Sequence, residues 1–321
     1  MFISVIVCTR NRNESLHRAV ESLFCPANLE APDWELLVID NNSQDRTVEI
    51  CREFQQRFPE HFRFVTEHKV GKSYALNTAI SEAKGDVLAF TDDDVLVATD
   101  YVQSIRTVFS SFPVDAAQGR VLLDCEAGWP KWLDDTYASM ADYRDYADEV
   151  IPLKGTLCGS NMIVRKALFD EVGGFAPELG PGGIGVFEDT EISLRMREKG
   201  HRLLYAPQIL IRHQWPRDRL TKGFIRKRMF LHGRVNAFYD DLPASLPRFG
   251  LYVVKETIIR ELQALWHLCS GRPAAALHCQ CQAREQAGLF WQHRLFQRGV
   301  PRTFSRGRLS SRTSMETQSV R

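Results

Sequence analysis

The chain has 321 residues, 44% hydrophobic and 25% charged, enough apolar material for a sizeable core; collagenous, wholly disordered and small disulfide-stapled classes are excluded. Lys+Arg 41 against Asp+Glu 40 leaves a net charge of +1, which names no partner. The distribution is uneven: residues 1–211 hold 21 basic and 33 acidic residues, whereas residues 212–321 hold 20 and 7.

Apolar runs alternate with helical patterns at the start of the chain. They predict strands at 3–8, 35–39, 62–66 and 87–90, and helices at 14–24, 46–58 and 72–82. This alternation favours an α/β fold with a mostly parallel sheet flanked by helices, whose ligands bind at the carboxyl ends of the strands. The polar motifs fall at those ends: Thr9-Arg10-Asn11 after the first strand, Asp40-Asn41-Asn42-Ser43 after the second, Thr91-Asp92-Asp93-Asp94 after the fourth.

Beyond Phe112-Pro113 the alternation loosens into a stretch rich in Trp and acids at 129–135. A strand at 160–165, a helix at 166–172 and a glycine-rich loop at 180–185 follow. Glu188-Asp189 then opens a helix running to about residue 200, and a short strand is predicted at 203–205. From Arg212 the sequence is basic and helical, and residues 302–321 have the composition of a disordered tail.

Three carboxylates at Asp92-Asp93-Asp94 repel one another unless a cation lies among them, and a divalent metal relieves that cost. The plain alternative is an acidic cap after the strand. Asp40 is equally explained as a turn former, and Glu188-Asp189 as acids favoured by a helix N-terminus. No Gly-x-Gly-x-x-Gly follows the first strand, so a nucleotide diphosphate here needs metal at Asp92 and Asp94 rather than a dinucleotide loop.

Taken in order, Val5-Ile6-Val7-Cys8-Thr9-Arg10-Asn11-Arg12, Val38-Ile39-Asp40-Asn41-Asn42-Ser43, Gly71-Lys72-Ser73-Tyr74-Ala75-Leu76-Asn77, Gly85-Asp86 and Phe90-Thr91-Asp92-Asp93-Asp94 resemble glycosyltransferase family 2, with its GT-A fold. Gly159-Ser160-Asn161, Gly173-Gly174-Phe175 and Glu188-Asp189-Thr190 continue the resemblance over about residues 1–215. It implies a donor-binding half at 1–112, an acceptor-binding half at 113–215 and a helical extension at 216–301.

The resemblance also implies roles. Thr9, Arg10, Asp40, Asn42, Lys72, Asn77, Asp92 and Asp93 would contact a nucleoside-diphosphate sugar, a UDP-sugar being favoured. Asp92, Asp94 and His213 would hold Mn²⁺ or Mg²⁺, and Asp189 would be the base of an inverting transfer. Gly182, Gly183 and Glu188 would belong to an acceptor-side lid. A histidine at position 213 is otherwise an ordinary surface or core residue. Leu76 stands where many members carry arginine. No Gln-x-x-Arg-Trp signature of processive synthases occurs, which favours addition of one sugar to a glycan or lipid-linked acceptor in cell-surface polysaccharide or glycolipid synthesis.

Residues 222–234 mix basic and apolar positions, as in a core helix with a solvated basic face or a helix that docks on an anionic membrane surface. No nucleic-acid motif accompanies this charge, so nucleic acid is not expected as a partner. His278-Cys279-Gln280-Cys281 lacks the second pair a zinc site needs. Eight scattered cysteines, a start without secretory character and charges interrupting the apolar stretch at 251–269 predict a cytoplasmic protein, peripheral on the inner face of the membrane if the basic helix docks there. A sugar nucleotidyltransferase lacks its Gly-rich phosphate loop here. A silent glycan-binding scaffold at the membrane is at odds with intact Asp92, Asp94 and Asp189.

Overall fold

The structure, a computed structural model, describes residues 1–125, 128, 130, 132–133, 142–240, 242 and 245–301. The tail at 302–321 and most of the stretch at 129–135 lie outside the described residues.

Four parallel strands form the first part of a nine-stranded sheet: β1 (Ile3–Thr9), β2 (Trp34–Asp40), β3 (Phe62–Thr66) and β4 (Val87–Asp92). Helices α1 (Asn13–Leu23), α3 (Thr47–Arg57) and α4 (Lys72–Glu82) connect them, with a single turn, α2 (Pro26–Leu29), before β2. The sheet is covered on both faces, so its strands read as unbroken apolar runs. Val5 and Val7 of β1 face Leu16, Val20 and Phe54, whereas Ile6 faces the opposite layer with Ala75 and Ala79 of α4. The register sets Thr9 beside Asp40 and Cys8 beside Asp92, so the polar motifs at the strand ends form one row.

The sheet continues in the order β3-β2-β1-β4-β8-β6-β9-β5, with β7 (Ile151–Pro152) paired to β9. Here β5 is Val95–Val97, α5 is Tyr101–Ser111, β6 is Ala116–Asp124 and β8 is Asn161–Arg165. Then come α6 (Leu168–Val172), α7 (Glu188–Glu198) and β9 (Leu203–Gln214). The strand predicted at 203–205 is therefore far longer. It pairs in parallel with β6 along that strand, and its last residues also pair with β5. Its register slips between Ala206 and Leu210, where Pro207 offers no N–H to the ladder. His213 consequently lies within a strand, opposite Val95.

Helices α8 (Lys222–Tyr239), α9 (Leu246–Cys269) and α10 (Pro273–Gln297) complete the chain, with α10 packed on both α8 and α9. At the α8–α10 crossing the backbones almost touch. A Cβ placed on Gly233 would lie 1.9 Å from the Glu285 carbonyl, and one on Gly288 1.9 Å from that of Phe230. The apolar residues of 222–234 point inward: Ile225 and Met229 are buried with Leu277 and Cys281, and Phe224 packs on Trp215. Of the two readings of this helix, the core-packing one matches its apolar face. No helix among the described residues is long and apolar enough to cross a membrane.

Candidate active site

A cavity of about 950 Å³ opens beside the carboxyl ends of β1 and β4 and is closed on the other side by the α7 start and by α8. Thr9, Arg10, Lys72, Asp92, Asp93, Asp94, Gly182, Glu188, Asp189 and His213 all line it. One oxygen or nitrogen each from Asp92, Asp94 and His213 converge within 4.8 Å of one another. Two carboxylates and an imidazole form a donor set that suits a hard-to-intermediate divalent ion such as Mn²⁺.

Cations balance this acidic corner. Asp94 Oδ1 lies 3.1 Å from His213 Nε2, and its Oδ2 lies 3.0 Å from Arg219 Nη1 and 3.9 Å from Arg12 Nη1. Burial pushes the Asp94 carboxyl up, but His213, Arg219 and Arg12 together hold it well below the usual carboxylate range. Asp93 moves the opposite way, raised by burial and by Asp94, and accepts a 2.7 Å hydrogen bond from Thr9 Oγ1. His213 is raised despite its burial, because Asp94 hydrogen-bonds it and Asp142, 3.7 Å from Nδ1, adds negative charge.

Lys72, at the first turn of α4, spans the two acidic groups of the cavity. Its Nζ donates to Asp92 Oδ1 at 2.7 Å and lies 3.4 Å from Glu188 Oε1. Burial works against its charge, but Asp92, Glu188 and Asp189 keep it protonated well above the ordinary lysine value. Glu188 is pushed upward by burial, with Lys72 opposing and Asp189 adding to the shift.

Asp189 is fixed by backbone donors: Gly159 N–H reaches Oδ2 at 2.8 Å and Thr190 N–H reaches Oδ1 at 2.7 Å. The residue before this pair, Phe187, holds a left-handed φ of 78° at the α7 N-cap, with its ring edge-on to His232 at 4.7 Å. That conformation is uncommon for a bulky residue and aims the first turn of α7 into the cavity. The glycine-rich loop is docked on α4, Lys72 N–H donating to the Pro181 carbonyl at 2.8 Å and Ser73 Oγ to the Leu179 carbonyl at 2.9 Å. A Cβ on Gly182 would lie 2.5 Å from Gly71 Cα, so only glycine permits this approach.

Four expected residues stand outside the cavity wall. Asp40 is buried beneath the end of β2, where its Oδ1 accepts the Ser43 N–H at 3.2 Å. Asn42 adopts a turn conformation with φ 58°. Asn77 spends its amide on the Phe175 backbone, donating to the carbonyl at 2.8 Å and accepting the N–H at 2.7 Å. Gly183 turns back onto the Gly180 carbonyl. Sequence reasoning missed Asn41, Asp142 and Arg219, which line the cavity. Asn41 ties the 67–71 loop down through Glu67, Lys69 and Gly71, a duty its own Asp-Asn-Asn-Ser motif could have suggested. Nothing local marks Arg219 or Asp142.

Residues 4–173 match the family model described as Glycosyl transferase family 2, just over half of the chain. The chain belongs to glycosyl transferase family 2. Among curated family members, glycosyltransferase AglE of Haloferax volcanii is 26% identical over 308 residues, covering 89% of this chain and 98% of the relative. The β-monoglucosyldiacylglycerol synthase of Trichormus variabilis is 26% identical over 201 residues, 61% of this chain, and the match spans 41% of that longer relative. The mannosyltransferase PcManGT of Pyrobaculum calidifontis, solved with GDP-Man and Mn²⁺, superposes with a TM-score of 0.56 at 20% identity, covering 92% of this chain and 79% of its own. The fold is thus that of GT-A glycosyltransferases, and this family 2 member is a glycosyltransferase whose cavity carries a metal-type Asp-Asp-His cluster.

Proposed function

We propose that the protein transfers one sugar, with inversion, from a nucleoside-diphosphate sugar to a hydroxyl of a glycan or lipid-linked acceptor, as part of cell-surface polysaccharide or glycolipid synthesis. The observation that carries this reading is the convergence of Asp92, Asp94 and His213 on the same cavity as Asp189. Asp94, Asp92 and His213 would hold Mn²⁺ or Mg²⁺, the imidazole favouring Mn²⁺. When bound, the ion supplies positive charge against the leaving diphosphate.

The protein's own groups would do the rest. Asp189, oriented by Gly159 and Thr190, accepts the proton of the acceptor hydroxyl as its oxygen attacks the anomeric carbon. Lys72, Arg12 and Arg219 add charge near the diphosphate while neutralising the acidic corner. The docked glycine-rich loop would exclude water that otherwise hydrolyses the donor. Thr9 and Arg10 line the donor side, and Asp40, Asn42 and Asn77 would support it from beneath by fixing the loops around it.

The test is nucleoside diphosphate release from a panel of UDP-, GDP- and dTDP-sugars, with and without Mn²⁺, beside Asp94→Ala. Metal-dependent release from one donor, lost in the variant, supports the reading and fixes the base. Absence of both release and calorimetric donor binding would overturn it in favour of a silent scaffold. The name of the synthase relative supports a lipid acceptor, and with it a place at a membrane surface.

A further inference from the structure

Helix α9 carries an apolar stripe that nothing among the described residues covers. Leu251, Val254, Ile258, Leu262 and Leu265 follow spacings of three and four residues and so share one face, at 73%, 58%, 56%, 62% and 58% exposure. Trp266, 58% exposed, sits at the edge of this stripe. The opposite face is the packed one, with Phe249, Val253 and Ala264 buried against α10. A row of this kind, about 20 Å long at 1.5 Å per residue, exceeds the scattered exposed leucines of ordinary surfaces.

The surrounding charge has one sign. From 246 to 301 every exposed charged residue is basic: Arg248, Lys255, Arg272, Arg284, Arg294 and Arg298. The three acids of the segment are half-buried and engaged. Glu256 lies 3.6 Å from Arg260, Glu261 accepts from Gln280 at 3.2 Å, and Glu285 accepts from Asn236 at 2.8 Å. Lys255 stands beside the stripe, Arg248 precedes it and Arg272 follows it, stacked over the Trp266 ring at 5.8 Å.

We infer that α9 is an in-plane membrane anchor whose stripe enters the interface of an anionic bilayer while Arg248, Lys255 and Arg272 meet lipid headgroups. An apolar face, bordering tryptophan and flanking cations are the features such helices need, and α9 is not apolar enough to span. A second copy is a poorer occupant: stripe against stripe would gather these cations with no exposed acid from the segment to pair them. This surface is distinct from residues 222–234 of α8, and it requires neither donor nor acceptor.

The experiment is flotation of the full chain with vesicles of phosphatidylcholine alone or with about one third phosphatidylglycerol. The expected result is binding to the anionic vesicles only, weakened by high salt and at least about tenfold weaker in Ile258→Glu/Leu262→Glu. Lys255→Gln and Arg272→Gln should each lower it about fivefold. Thermal melting of the variants reports that they fold. Wild type that ignores anionic vesicles, or a folded double variant that floats as well as wild type, overturns the proposal. So does a wild-type dimer, seen by sedimentation, that the double variant dissolves without any vesicle binding. Because no sugar transfer is read, failure here is separable from failure of the proposed reaction.

Discussion

Asp94 and His213 are 119 residues apart in sequence and 3.1 Å apart in space. The carboxylate follows β4 directly, and the imidazole rides on β9, which reaches the same point because β5 pairs with its end. If both hold the ion, their removal should have unlike signatures. Asp94→Ala should abolish metal-dependent nucleoside diphosphate release, a drop of at least about a hundredfold. His213→Ala should weaken apparent Mn²⁺ affinity about 10–100-fold and be largely rescued by excess metal. A Mn²⁺ titration of both variants, after chelator treatment, checks this.

Asp189→Asn keeps the shape of the α7 start but removes the proton acceptor. Turnover should fall about 10²–10⁴-fold while calorimetric donor affinity stays near wild type. Proton NMR of the product should show an inverted anomeric centre in the parent enzyme. Retention of configuration would remove Asp189 from the role of base.

The first ninety or so residues were legible because β1, β2 and β4 are buried on both faces and each crossover helix has its own 3.6-residue stripe. Val5 and Ile6 need opposite partners, and the alternation of Leu16 and Val20 with Ala75 and Ala79 supplies them. The far half was harder. Strand β5 has three residues, and β9 carries Pro207 and Arg212 in its middle, so neither shows a clean period. At the site, the acid run at the end of β4 marked Asp92 and Asp94 as candidates, and the acids opening α7 marked Asp189. Arg219 and Asp142 gave no such sign, since the chain brings them to the cavity only through tertiary contacts. Asn77 illustrates the reverse case: its motif position implies a donor contact, while in the fold its amide fastens the Phe175 turn.

Away from the cavity, Glu35 is buried under the sheet edge and accepts from Ser4 Oγ at 2.7 Å, Lys84 N–H at 2.8 Å and Arg63 Nε at 2.9 Å. Burial pushes its carboxyl up, and these donors outweigh that and lower it. A lowered native pKa means that the unfolded chain takes up the proton first. The stabilisation is therefore complete above the ordinary glutamate range and fades as pH falls through it toward the native value. Arg63→Met should cost about 2–3 kcal/mol at neutral pH, because the carboxylate stays buried with fewer partners and Arg63 itself is partly solvated. Denaturant midpoints at neutral and acid pH test this: the gap between variant and parent should narrow in acid.

The α8–α10 crossing has no room for a methyl group at Gly233 or Gly288, where the obstacle is a backbone carbonyl. Gly288→Ala should separate the helices and cost roughly 2–4 kcal/mol, more than the helix propensity that alanine returns. Its thermal unfolding should begin earlier than that of Gly250→Ala, where the added Cβ meets the Phe290 ring edge at 3.3 Å.

Strand β5 belongs by sequence to the first hundred residues, yet its hydrogen-bonding partner is β9, more than a hundred residues later. Strand β8 likewise lies between β4 and β6. The chain is therefore laced rather than concatenated: a cut at the Phe112-Pro113 junction would leave Val95–Val97 without a neighbour and expose the flank of β4. Separately expressed halves should be insoluble alone and recover order only when refolded together, and a protease that nicks one loop should release no independently folded fragment.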